Sequence, residues 1–195
     1  GMYKDGLGVN QDDVKAVAYY QLAADKGFAE GECELGNMYH TGRGVEHDDV
    51  VAAKYYKCAA DQGDVSGQYN LGLLASQGLG MKQNHVKAFK YTSLAAEQGY
   101  TDALYNIGHF YRHGKGVIAN DIMAARYWTR AANQGDAKAQ YNLGLLHLTE
   151  GNGVPQDHAI TTTQRQQSKV MRRHSATSLP CTARAQVCIK VLTRR

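Results

Sequence analysis

Between residues 49 and 62, apolar or small side chains stand at Ala52, Tyr55, Tyr56, Ala59 and Ala60, with polar residues at most positions between. Steps of three and four place these five on one stripe of an α-helix. Asp48, just before the stretch, is a good N-cap residue, and Gly63, just after it, suits the left-handed position that ends a helix. A second helical stretch covers 65–76, where Leu71 is followed by Gly72. That glycine lowers helix propensity but offers a neighbouring helix a bare backbone to approach. Gly42-Arg43-Gly44-Val45 reads as the turn joining two such helices, with Val45 folding back beneath it.

The pattern recurs every 36 residues without a gap. Gly27, Gly63, Gly99 and Gly135 keep that step, as do Leu35, Leu71, Ile107 and Leu143, each followed by glycine. Tyr19, Tyr55, Tyr91 and Tyr127 keep it too, as do the N-cap candidates Asp12, Asp48, Asn84 and Asn120. A single helix–turn–helix of this length cannot bury its own apolar face, so the units must stack on a shared core. The expected fold is all-α: an α-solenoid of 36-residue helix–turn–helix repeats coiled in a right-handed superhelix. It spans 1–157, with a partial repeat at 1–28, full repeats at 29–64, 65–100 and 101–136, and a partial repeat at 137–157. The chain opens inside a repeat at Gly1, so a missing natural N-terminus is expected.

The string Leu35-Gly-x-x-Tyr39-x-x-Gly42-x-Gly44-Val45, then Ala52, Tyr55-Tyr56, Ala59-Ala60 and Gln62-Gly63, resembles the Sel-one-like repeat family. That family is a branch of the tetratricopeptide-like helical solenoids. The resemblance implies an adaptor or scaffold that assembles other proteins. Some bacterial members carry a disulfide-linked cysteine pair in each repeat and are linked to β-lactam binding. This chain departs from that branch. Cys33 stands where Tyr69, Tyr105 and Tyr141 stand, and Cys58 where Leu22, Leu94 and Arg130 stand.

Composition supports a folded helical body: 43% of residues are hydrophobic, and 21 glycines accompany only two prolines. The net charge of +4 conceals two parts of opposite sign. Residues 1–150 carry 14 Lys and Arg against 17 Asp and Glu, whereas 151–195 carry 8 against 1. A slightly acidic body gives no footing for nucleic acid, and no apolar run is long enough to span a membrane. From His158 the period is lost, and the segment 158–195 reads as a basic, disordered tail. A displaced coding frame between Gly151 and about Thr161 explains it better than a genuine tail. The codons of 162–175 permit Tyr-Tyr-Thr-Lys-Ala-Ala-Glu-Gln-Gly-Asp-Ala-Lys-Ala-Gln, nearly the true repeat at 127–140.

No catalytic constellation emerges. His40, His47, His85 and His147 are scattered, and none pairs with a Ser or Cys nucleophile in a recognisable motif. His109 and His113 have helical metal-ligand spacing but lack an evident third ligand, so a solvated pair is expected. Asp12-Asp13 and Asp48-Asp49 recur at helix starts, where capping and the helix dipole account for them. No cofactor and no metal are expected. The candidate partner-binding face lies on the first helices: Tyr69, Asn70 and Leu73; Tyr105, Asn106 and His109; Tyr141, Asn142 and Leu145. By analogy with tetratricopeptide solenoids these helices line the groove. A carboxamide ladder there could bond an extended peptide while the tyrosines pack on its side chains. The competing view is that each Asn bonds the backbone of a neighbouring repeat. The expected function is a non-enzymatic interaction module. Its alternatives are a recruiting region of a larger enzyme or signalling protein and, less favoured, a β-lactam hydrolase.

Overall fold

The computed structural model describes residues 12–148. The opening eleven residues, the end of the last repeat and the basic, frame-displaced tail expected at 158–195 lie outside the described residues.

Eight helices are described: α1 (Asp13–Ala24), α2 (Ala29–Thr41), α3 (Asp49–Asp61), α4 (Val65–Gln77), α5 (His85–Glu97), α6 (Thr101–His113), α7 (Asp121–Asn133) and α8 (Ala137–Leu148). Even-numbered helices are the first helices of their repeats and odd-numbered ones the second. Each packs on its predecessor and successor, so the chain builds the expected all-α solenoid. The first helices contribute the large core side chains, with Leu35, Met38, Leu71, Leu74, Leu104 and Ile107 under 2% exposed. The second helices answer with alanines: Ala52, Ala59, Ala88, Ala95, Ala124 and Ala131 have no exposure at all. Small side chains on one helix let the larger ones of its neighbour sit close, as dense packing requires. Met81 packs against the cores on both sides of it and makes them continuous.

The predicted start signals act as caps. Asp12, Asp48, Asn84 and Asn120 accept from backbone N–H groups in the first turns of α1, α3, α5 and α7. The stop signals act too. Gly27, Gly63, Gly99 and Gly135 all have positive φ, and the amide following each donates to the carbonyl of Ala23, Ala59, Ala95 or Ala131. This is the bond that closes a glycine-terminated helix.

Two glycine series bring helices together. A Cβ on Gly36 would stand 2.8 Å from the Tyr56 ring, and one on Gly72 would stand 2.5 Å from Thr92 Oγ1. These contacts lie within a repeat, between its first and second helices. The turn glycines Gly44, Gly80 and Gly116 work between repeats. Each has positive φ, and its Cβ would run into the backbone carbonyl of Asp13, Asp49 or His85, always 31 residues earlier. The turn of one repeat is therefore pressed onto the start of the second helix of the repeat before it. Gln98 and Gln134 add further ties, their Nε2 atoms donating at 3.0 Å to the carbonyls of Gly63 and Gly99.

The aromatic residues mostly join the core, as their period suggests. Tyr56 and Trp128 are 1% and 3% exposed, and each satisfies its polar atom: Tyr56 donates to Asn37 Oδ1 at 2.7 Å, and Trp128 Nε1 to the Tyr105 carbonyl at 3.1 Å. Burial holds the Tyr56 phenol well above its ordinary range, so it stays a donor. Tyr39 stacks on Tyr55 and Tyr111 on Tyr127, with centroids 5.9 and 5.8 Å apart.

Candidate functional site on the first helices

Tyr69, Asn70 and Leu73 share one face of α4; Tyr105, Asn106 and His109 share the same face of α6; Tyr141, Asn142 and Leu145 share it on α8. Helical spacing of i, i+1 and i+4 puts each trio on adjoining positions. Those on α4 and α6 are half-buried, while Tyr141 and Leu145, at the edge of the described residues, are exposed.

Hydrogen bonds run along the series from one repeat to the next. Asn106 Nδ2 donates to the Tyr69 hydroxyl and Asn142 Nδ2 to the Tyr105 hydroxyl, both at 3.3 Å. Asn70 has no tyrosine to address, because Cys33 occupies that position. It donates instead to Asn37 Oδ1 at 3.1 Å, the oxygen that also accepts from Tyr56. The carboxamides thus bond a neighbouring repeat through its side chains rather than through its backbone. Tyr69 is further held against the Tyr100 ring, 5.0 Å away, and Lys138 lies 5.9 Å from the Tyr105 ring centre. The substantial approach between non-consecutive helices is also between two first helices, α2 and α4.

His109 sits at the position of Leu73 and Leu145, its ring 4.2 Å from that of His113. Burial, then the nearby His113 and Lys115, depress its pKa below the ordinary 6.5. Above that value the folded and unfolded chains are both neutral here, and the shift has no effect. As pH falls through 6.5 the unfolded chain takes up the proton first, so acidification costs stability. His109→Leu should remove that loss. Its melting midpoint should fall less than the parent's between about pH 8 and pH 5.5, the range a histidine switch covers.

The acidic pairs do more than cap helices. Asp48 caps α3, but Asp49 accepts from His40 Nδ1 at 2.6 Å, and Asp13 pairs with Arg43 Nη2 at 2.7 Å. Asp121, one position past the Asn120 cap, accepts from Arg112 at 2.7 Å through both of its oxygens. The expectation that capping and the dipole alone explain the second carboxylate is corrected accordingly. His40, Asp49, Arg112 and Asp121 form a recurring link from the end of a first helix to the start of the second. The partners stand nine positions apart in the chain, so helical spacing did not expose it. Among the described residues, His40, His47 and Asp49 also form the one group of three side chains able to share a metal ion.

The described helices contain no segment long and apolar enough to cross a membrane. Cys33 is buried and Cys58 exposed, so the two do not occupy equivalent settings.

Comparison with known proteins agrees with this architecture. The Sel1 repeat model matches residues 1–28, 29–64, 65–100, 101–136 and 137–160. The fold is similar to a Sel1 repeat protein from Oxalobacter formigenes, with TM-score 0.74 and 33% identity over 83% of this chain and 67% of that one. A protective antigen of uropathogenic Escherichia coli strains, with an SLR fold, is similar at TM-score 0.77 and 28% identity, over 86% of this chain and 36% of the antigen. The chain thus spans about a third of the antigen's length. Helicobacter pylori cysteine rich protein B is similar at TM-score 0.54 and 25% identity, over 68% of this chain and 96% of that protein. Comparison with curated proteins gave no match. Proteins of this kind are generally scaffolds for protein interaction. With all its repeats matched by one model, the chain belongs to the Sel1 repeat family.

Proposed function

We propose that the solenoid is a non-catalytic scaffold that takes a peptide or helix of a partner protein along its first-helix face. Tyr69, Asn70, Leu73, Tyr105, Asn106, His109, Tyr141, Asn142 and Leu145 are the residues it would use. The observation that carries this reading is the series of Asn-to-Tyr bonds between repeats. Such bonds fix the tyrosine rings before any partner arrives, so little rotamer entropy remains to be lost on binding. Each carboxamide can make up to four hydrogen bonds, and the ladder bond uses one. The remainder suit the backbone of an extended segment. Leu73 and Leu145, one turn along, supply apolar contact.

A second reading, that these repeats recruit partners for a larger enzyme or signalling protein, draws support from the antigen of which this chain spans a third. Both readings use the same face.

Peptides selected from a display library on the whole chain provide the test. Leu73→Arg combined with Leu145→Arg should weaken the selected peptides roughly tenfold or more, as loss of a binding anchor does, with little change in melting. Unchanged affinity in that variant would refute the assignment of this face. Lost affinity with a collapsed melting transition calls for the single Leu145→Arg variant, whose side chain is already 45% exposed, as the deciding measurement.

A further inference from the structure

The group formed by His40, His47 and Asp49 shares no residue with the proposed docking strip and stands at the turn between α2 and α3. His40 is on the last turn of α2, Asp49 opens α3, and His47 comes from the loop between them. Asp49 Oδ1 is 2.6 Å from His40 Nδ1 and 3.4 Å from His47 Nε2. One ligand atom from each of the three lies within 4.8 Å of those of the others. We infer that these three side chains form a binding site for a zinc-class divalent transition ion, with its fourth coordination position open.

The chemistry of the donor set selects the metal. Two imidazoles and one carboxylate match the nitrogen and oxygen ligands of zinc, whereas calcium and magnesium seek six or more oxygens. A tetrahedral ion with bonds of about 2.0–2.1 Å holds its ligand atoms roughly 3.3–3.4 Å apart. The separation of His47 and Asp49 already has that value. The closer pair, His40 and Asp49, at 2.6 Å, must open by about 0.7–0.8 Å to reach that separation, as the hydrogen between them gives way to the metal. His47 is 58% exposed on its side chain and has room to adjust, while Asp49, at 15%, is held in place.

The other repeats show what these positions do without a metal. In the repeat 101–136 the same three places hold Arg112, Ala119 and Asp121, and the Arg112–Asp121 ion pair joins the two helices beside the backbone bond from Asn120 to the Tyr111 carbonyl. In the repeat 65–100 they hold Ser76, Gln83 and His85, and Gln83 donates to the Ser76 carbonyl at 2.8 Å. Each of these hairpins thus adds one side-chain link from the first helix to the loop or to the second helix, and the His40–Asp49 bond supplies it here. That link does not need a second imidazole at 47. His47 turns an ordinary repeat link into a three-ligand set. The bound ion would staple α2 to α3 and present its open position to water or to a ligand from outside.

Cobalt(II) reports the site directly on the full chain, because tetrahedral nitrogen and oxygen ligation gives visible absorption. One equivalent should produce that band, zinc should displace it, and no thiolate charge-transfer band should accompany it. His47→Ala should weaken binding roughly tenfold or more, since it removes one of three protein ligands. Asp49→Asn should do the same. His113→Gln should leave binding unchanged, which separates this site from the His109–His113 pair. Circular dichroism should show His47→Ala as folded as the parent, because the side chain it loses is largely exposed. The inference is overturned by the absence of saturable cobalt or zinc binding, or by binding that survives His47→Ala. The second result would place the metal elsewhere, on the cysteines or the other histidines.

Discussion

Gly80→Ala should be among the most damaging single substitutions in the protein, lowering its stability by roughly 2–5 kcal/mol. Two costs add at this position. The backbone is left-handed at φ +63°, where any side chain is strained by about 1–2 kcal/mol. A Cβ there would also collide with the carbonyl of Asp49, the neighbouring amide of Val50 and the carbon between them. Backbone has no rotamer with which to step aside, so the turn must move off α3, at an overpacking cost of about 1–3 kcal/mol. Gly63→Ala isolates the first cost. Its φ is +90°, with nothing within 4 Å of the added carbon, so a loss of only about 1–2 kcal/mol is expected. Because stacked repeats are coupled only through their interfaces, breaking one should also divide the array into separately melting parts. Urea denaturation followed by circular dichroism measures both effects. The expected outcome is a broadened or two-step transition for Gly80→Ala and a single shifted one for Gly63→Ala. Equal losses at the two glycines would show that contact between repeats contributes little.

Trp128→Ala should cost about 3–5 kcal/mol, the usual range for deleting a large buried aromatic side chain. Trp128 is 3% exposed and fills the space left by Gly108, whose added Cβ would strike the indole. Removing the indole also leaves the Tyr105 carbonyl without the donor at 3.1 Å. Tyr105 belongs to the first-helix strip and receives the bond from Asn142. The damage should therefore reach the proposed docking face as well as the core. Thermal melting of Trp128→Ala and Trp128→Phe makes the comparison. The phenylalanine variant keeps most of the packing and should lose distinctly less.

The fold was legible because each physical requirement of the repeat recurs in the sequence. The caps at Asp48, Asn84 and Asn120, the helix-ending glycines and the Leu-Gly pairs each have a local cause, and a local cause leaves a local signal. The caps at Asp64 and Asp136 were harder to see, because Phe28 and Tyr100 occupy the same position without a side-chain cap. Contacts that depend on stacking were not legible. The clash awaiting a side chain at Gly80 involves a helix start 31 residues earlier, and nothing in the turn itself announces it. The carboxamide series was visible as a period, but its bonding was not. Only in the structure does Asn106 reach Tyr69, and only there does Cys33 explain why Asn70 turns to Asn37. The histidines at 40 and 47 looked scattered because neither recurs with the period. The turn folds them onto Asp49, and a search for helical or motif spacing passes over such a set.

Under the proposed function the first helices, rather than the second, receive the partner. Photo-crosslinking tests this on the whole chain with a display-selected peptide. A photoreactive amino acid is placed in turn at positions 73 and 145 on the first helices, and at 86 and 122 on exposed sites of the second helices, where Val86 and Ile122 are 67% and 48% exposed. Covalent capture of the peptide at 73 and 145, with none at 86 and 122, is the predicted result. Capture from the second-helix positions, with none from 73 and 145, would contradict it.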